Sequence, residues 1–231
     1  MKIKHIIWDW NGTLLNDRWL CVESINKTLQ KRNLPTITED RYLDIFCFPV
    51  EDYYNKLGFD FDKEPFAVSG TEFIKNYNSK FHEPDLQEWV VDLLEFVQSK
   101  GLTQSILSAG KHNWVQDWVA YHGLEKYFIN VLGINNHYAS GKTDIGKAWI
   151  NEMHYDPHEV LMIGDTLHDL DVAGEMGVEC ILIAQGHTSR ARLEATGATV
   201  FDNLSELREW FSLENDLFGK YDGLLEGSQT D

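Results

Sequence analysis

Two acidic segments, each directly after a short apolar run, are the parts of this sequence best suited to chemistry. The first is WDWNGT, with Asp9, Asn11, Gly12 and Thr13; the second is VLMIGDTLHD, with Asp165 and Asp169. In an open α/β sheet the carboxyl ends of the strands border the ligand crevice, so a carboxylate followed by a glycine turn is placed to meet a ligand. Taken separately, each segment has an ordinary structural reading, because Asn-Gly pairs form turns and helix-start aspartates cap helices. Taken together, two strands ending in carboxylates make a hard-oxygen site of the kind that holds Mg²⁺, which takes few carboxylates and keeps several waters. A cation there needs an anionic group to act on.

Two further segments suit a phosphate. Ser108, Ala109 and Gly110 follow another apolar run and precede a helical pattern, so they offer a hydroxyl and backbone N–H groups to an oxyanion. Lys142, within Gly141-Lys142-Thr143 at a further helix start, can neutralise a phosphoryl oxygen as a point charge. A surface lysine or a capping serine accounts for either one alone. The order acid, hydroxyl, lysine, acid pair along one chain is what points to phosphate chemistry.

Strand-like runs at 3–8, 103–107, 128–132, 160–163 and 180–183 alternate with amphipathic patterns at 113–121, 143–153 and 168–176. That alternation predicts an α/β fold with a doubly wound parallel sheet covered by helices. Gly177 suits the C-terminal cap of the last of these helices. Residues 16–83 differ, reading as helix after helix: Trp19, Val22, Ile25 and Leu29 recur at helical spacing, as do Phe66, Phe73, Tyr77 and Phe81. They predict a smaller all-helical domain inserted into a core formed by 1–15 and 84–213. A helix at 86–100 leads back into the sheet, and the acidic tail at 214–231 is expected to be partly disordered.

Of 231 residues, 20 are Lys or Arg and 37 are Asp or Glu, giving a net charge of −17. With no basic cluster, this excludes a nucleic-acid or acidic-membrane binder. Hydrophobic residues at 43% can form a sizeable core. Cys21, Cys47 and Cys180 are odd in number and contain no C-x-x-C pair, so neither a disulfide framework nor a cysteine zinc site is expected, and a reducing, cytoplasmic setting fits. The opening MKIKHIIWDW is too short in apolar residues for a signal peptide or a membrane span.

With these segments in place, the chain resembles the haloacid dehalogenase-like (HAD) phosphohydrolase superfamily. Its four motifs are matched by WDWNGT, SILSAG, GKT and IGDTLHD, and the layout is similar to the phosphoglycolate phosphatase-like group, whose helical cap the insert resembles. The resemblance implies that Asp9 is a nucleophile forming an aspartyl-phosphate, a form of covalent catalysis. It also implies Mg²⁺ held by Asp9, the Asn11 carbonyl and Asp165, with Asp169 completing or orienting the shell. Lys142 would offset phosphate charge, Ser108 would bond the phosphoryl group, and Trp10, Gly12, Thr13, Ala109 and Gly110 would line the substrate. The expected substrate is a small phosphorylated metabolite.

Asn11 departs from the family pattern, which has an aspartate there as general acid and base. Losing that role costs about 10²- to 10⁴-fold. Three readings follow: a slow phosphatase favouring acidic leaving groups, a different chemistry such as phosphonate cleavage through a cap lysine (Lys27, Lys31, Lys56 or Lys63), or a binding protein with little turnover. A separate reading takes NHYASGKT, residues 136–143, as a nucleotide kinase's phosphate-binding loop, with Asn136 in place of its first glycine.

Overall fold

The computed structural model describes residues 2–135, 141–214 and 218. Six strands form one parallel sheet: β1 (His5–Trp8), β2 (Thr103–Lys111), β3 (Asn130–Ile134), β4 (Val160–Gly164), β5 (Glu179–Ile183) and β6 (Thr199–Phe201), in the order β3-β2-β1-β4-β5-β6. The central strands are apolar throughout because helices cover both faces of a parallel sheet. Side chains alternate across it: Ile6 and Trp8 enter one apolar cluster and Ile7 the other. Each such side chain, fully removed from water, contributes about 1.5–3 kcal/mol.

β1 lies between β2 and β4, with Trp8 in register with both Ile106 and Ile163. The strand order reverses at β1, so the crevice opens at the carboxyl ends of β1, β2 and β4. Those are the ends that carry Asp9, Ser108 and Asp165.

Five helices lie between β1 and β2, and the first four make up the insert: α1 (Arg18–Gln30), α2 (Glu39–Ile45), α3 (Val50–Lys56) and α4 (Phe66–Asn78). Leu20, Ile25, Leu29 and Tyr77 join α1 and α4 to the main core, and Asn76 donates to the Ser24 carbonyl between them. Arg18 donates to the carbonyls of Gln185 and Gly186, tying the insert to the loop after β5.

The remaining helices are α5 (Val90–Ser99), α6 (His112–Tyr121), α7 (Lys142–Glu152), α8 (Leu167–Met176), α9 (Arg190–Glu194) and α10 (Leu204–Leu213). Gly177 caps α8 at φ 74°, as expected.

Several boundaries differ from the sequence expectation. α5 starts at Val90 rather than 86, because Leu86 bridges Leu15 and Gln87 N donates to the Leu14 carbonyl, closing the base of the insert in extended backbone. β3 starts at Asn130 rather than 128, after a single helical turn at Glu125–Tyr127. β2 runs through Ser108, Ala109 and Gly110, expected to be loop, with its register against β3 shifting between Leu107 and Lys111. β6, α9 and α10 had no separate expectation; β6 is only three residues long, too short to show a period. The segment 136–140 and most of the tail lie outside the described residues.

Candidate active site

Asp9 follows β1, and its backbone N–H continues the ladder by donating to the Ile163 carbonyl at 2.8 Å. This pairing fixes the Asp9 carboxylate beside the end of β4, where Gly164 leads into Asp165. A side chain at Gly164 would collide with the Asp169 carboxylate, so glycine is what lets Asp169 fold back from α8. Gly12 turns the chain at φ 82°, and a Cβ there would strike Asp165 and His187.

The result is three buried acids, Asp9, Asp165 and Asp169, each offering a carboxylate oxygen within 4.8 Å of the others. Lys142 Nζ is buried among them, 2.5 Å from Asp9 Oδ1 and 2.5 Å from Asp169 Oδ1. Burial works against the Lys142 ammonium, but Asp169 and Asp9 more than offset it and raise its pKa. Burial and the neighbouring Asp169 and Asp165 charges push Asp9 up against the pull of Lys142. Asp165 is also raised, by burial first and then by Asp169. Two acids held above their ordinary range, by burial first and by neighbouring carboxylate charge second, form a site short of positive charge. Its donors are hard oxygens, which suits a small divalent cation.

The acids are not equivalent. Asp169 Oδ2 accepts from the Thr166 N–H at 2.9 Å, the Thr166 hydroxyl at 2.7 Å and the Asp165 N–H at 3.2 Å. With Lys142 on its other oxygen, Asp169 is saturated by protein donors and stays below its usual pKa despite burial. It therefore orients Lys142 and the loop. Asp165 accepts from the Thr13 hydroxyl at 2.8 Å and the His187 N–H at 2.6 Å.

The residues expected to line the substrate divide. Ser108, Ala109, Gly110 and Asn11 border a cavity of about 200 Å³ that also reaches Asp9, Lys142 and Asp169. Thr13 is buried beneath Asp165, and Gly12 packs against it. Trp10, expected at the entrance, is fully buried in the core instead. It lies two positions beyond Trp8, and continued strand alternation turns both rings into the same cluster.

Asp17, Tyr42, Tyr77 and His187, none of them expected at the site from the sequence, complete it. Asp17 Oδ2 accepts from Asn11 Nδ2 at 2.8 Å and the Tyr77 hydroxyl at 2.7 Å, while Oδ1 accepts from the Gly12 N–H at 3.0 Å and lies 3.2 Å from His187 Nε2. The other ring nitrogen of His187 lies 3.0 Å from the Tyr42 hydroxyl. Burial opposes the imidazolium, but Asp17 and Asp165 raise His187 to about 9, and His187 in turn helps hold Asp17 below its ordinary value against burial. Cys21 Sγ also lies 3.7 Å from Asp17 Oδ2, and burial pushes its thiol well up. Only His187 had a readable signal: it follows β5 at the same end of the sheet as the acids.

None of the four lysines considered for Schiff-base chemistry lines the cavity. Lys27 pairs with Glu23, Lys31 with Glu72 and Lys63 with Asp60, while Lys56 donates to Cys47 Sγ. Lys142, the second half of the kinase-loop reading, is engaged by Asp9, a contact that reading leaves unexplained.

Residues 6–183 match the haloacid dehalogenase-like hydrolase family. The chain belongs to that family. It is similar to phosphoglycolate phosphatase of Vibrio parahaemolyticus, 24% identical over 217 residues that span 90% of this chain and 95% of that one. It is also similar to pyrophosphatase PpaX of Bacillus mycoides, 23% identical and spanning 90% and 96% of the two chains. Among solved structures, the haloacid dehalogenase-like protein SP0104 of Streptococcus pneumoniae shares the fold at a TM-score of 0.77, with 20% identity over 90% of this chain and 98% of that one. In this haloacid dehalogenase-like hydrolase, no described helix is long and apolar enough to cross a membrane.

Proposed function

We propose that the protein is a phosphatase acting on small phosphorylated metabolites through an aspartyl-phosphate on Asp9. The observation that carries this reading is the buried Asp9 carboxylate, paired with Lys142 and facing Asp165 across adjacent strands. The phosphatase names of the similar proteins support it.

Asp9 attacks phosphorus, Lys142 balances charge on the phosphoryl oxygens, and Ser108 with the Ala109 and Gly110 backbone positions them. Asp165 and Asp9 would hold Mg²⁺ together with the Asn11 carbonyl, with Asp169 orienting the site. When bound, the ion supplies further neutralisation of the phosphate charge. The insert at 16–83 acts as a cap that excludes water and selects the substrate. The three free thiols support a reducing, cytoplasmic setting.

Asn11 cannot give or take a proton at neutral pH, and its amide is held by Asp17. The leaving oxygen therefore departs without a donor at that position, so the enzyme is slow on ordinary alkyl esters. The test is Mg²⁺-dependent phosphate release, with Asp9→Asn as the control. Turnover that persists in Asp9→Asn refutes the nucleophile assignment. Substrate-dependent labelling of Asp9 without release of phosphate identifies a protein that captures phosphate rather than turning it over.

A further inference from the structure

We infer that the substrate is an aryl phosphate monoester, whose ring occupies the aromatic chamber that the insert forms over Asp9; this rests on the phosphatase reading above. The cavity that begins at Asp9 and Ser108 continues into the insert, where Phe46, Phe48, Tyr53, Phe66, Phe73 and Tyr77 form much of its wall. The wall is rings, which take up flat apolar groups by stacking and edge contacts.

The insert contributes no Lys, Arg or His to this wall. The lysines that reach the cavity come from the core: Lys142 is engaged by Asp9 and Asp169, and Lys111 lies over the Trp114 ring, 5.5 Å from its centroid. The imidazolium of His187 faces Asp17. A second anionic group on the substrate, as in a phosphorylated hydroxy acid, would meet rings and no cation on the insert's side of the cavity; Lys111 and His168 come from the core. Tyr53, whose hydroxyl is buried without a hydrogen-bond partner, can receive a polar substituent on the ring.

The chemistry at Asn11 selects in the same direction. Asp9 forms its bond to phosphorus as the P–O(aryl) bond breaks, and the electron pair leaves on the aryl oxygen. The phenolate then takes a proton from water, and hydrolysis of the aspartyl-phosphate releases inorganic phosphate and regenerates Asp9. A phenol, with a pKa of about 10, leaves as an anion far more readily than an alkyl alcohol, which needs the missing acid. The proton donor absent from position 11 and the aromatic wall are independent features that fit one class of ester.

The test compares four substrates with Mg²⁺: 2-naphthyl phosphate, phenyl phosphate, acetyl phosphate and 2-phosphoglycolate. The naphthyl and phenyl leaving groups have similar acidity, so their difference isolates ring contact. The naphthyl ester is expected to have about tenfold higher kcat/KM from its added buried area, and phosphoglycolate to fall at least about 10²-fold below it. Phe73→Ala should lower the ratio of naphthyl to acetyl phosphate kcat/KM by about tenfold, and Phe48→Ala, in a loop, provides the same readout if the helix variant does not fold. Acetyl phosphate turnover with no preference for the larger ring overturns the aryl assignment and leaves the phosphatase reading standing. No turnover of any of the four overturns both.

Discussion

Asn11 Nδ2 donates to Asp17 Oδ2 across 2.8 Å, so the site that lacks a carboxylate at position 11 holds one beside it at position 17. An aspartate at position 11 would face that carboxylate directly, and two adjacent carboxylates cannot both ionise without cost. Asn11→Asp alone is therefore expected to give little gain on alkyl phosphates. The double variant Asn11→Asp/Asp17→Asn restores an acid beside an amide and should raise kcat by about 10²-fold. Steady-state rates on one alkyl ester decide this, and a full gain from the single variant would show that Asp17 does not oppose the exchange.

Lys142 bridges Asp9 and Asp169. Removing one partner of a buried ion pair costs about 3–5 kcal/mol, so Lys142→Ala should lower Tm by roughly 10 °C for a chain of this length. Mg²⁺ should then raise the Tm of Lys142→Ala more than that of the parent, because the cation relieves a larger unbalanced charge. Asp9→Asn should abolish turnover with a Tm equal to or above the parent's, since burial and repulsion disfavour the Asp9 charge. Differential scanning fluorimetry with and without Mg²⁺ reads both variants; a large fall in the Tm of Asp9→Asn would contradict the repulsion argument.

Two buried histidines shape stability against pH with opposite signs. His187 is raised to about 9 from an ordinary 6.5, so the folded state holds its proton more tightly than the unfolded chain. Its contribution, roughly 3 kcal/mol, is present below pH 6.5 and lost as pH rises through about 9. His5, buried between the Thr103 and Ser105 hydroxyls, is lowered to about 3 by burial. Its contribution is present above pH 6.5 and lost as pH falls toward 3. Urea denaturation from pH 4 to 10 should show His187→Gln flattening the alkaline decline and leaving the acid limb; an unchanged alkaline limb argues against a charged His187.

Lys27, Lys31, Lys56 and Lys63 are tied to groups outside the cavity. Replacing each with alanine should leave phosphate release within about twofold, the scale of surface substitutions. Phosphonoacetaldehyde with borohydride should leave no adduct on any of them. A mapped adduct on one of these lysines would revive the phosphonate reading.

The parallel sheet was legible because buried strands are continuous apolar runs and glycine turns mark where they end. Asp9, Asp165 and the helix start at Lys142 were legible for the same reason: each is placed by a local signal, and the strand-end rule puts them on one edge. Trp10 misled because its position beside Asp9 suggested the crevice, while strand alternation placed its ring in the core with Trp8. The end of β2 misled because Ser108 to Gly110 have turn-forming types, yet β3 pairs with that edge through a register shift.

By itself the sequence determined the family, the strand-end acids, the run of helices after the first strand and the amide at position 11. Those are properties of residue type and short spacing. Only the tertiary structure decided that Asp17 accepts from Asn11, that His187 joins Asp17 and Asp165, and that the insert meets Asp9 with rings rather than cations. These partners are far apart in the chain or lie in elements with no common period, and they meet only once the sheet order and the insert's packing bring their side chains together.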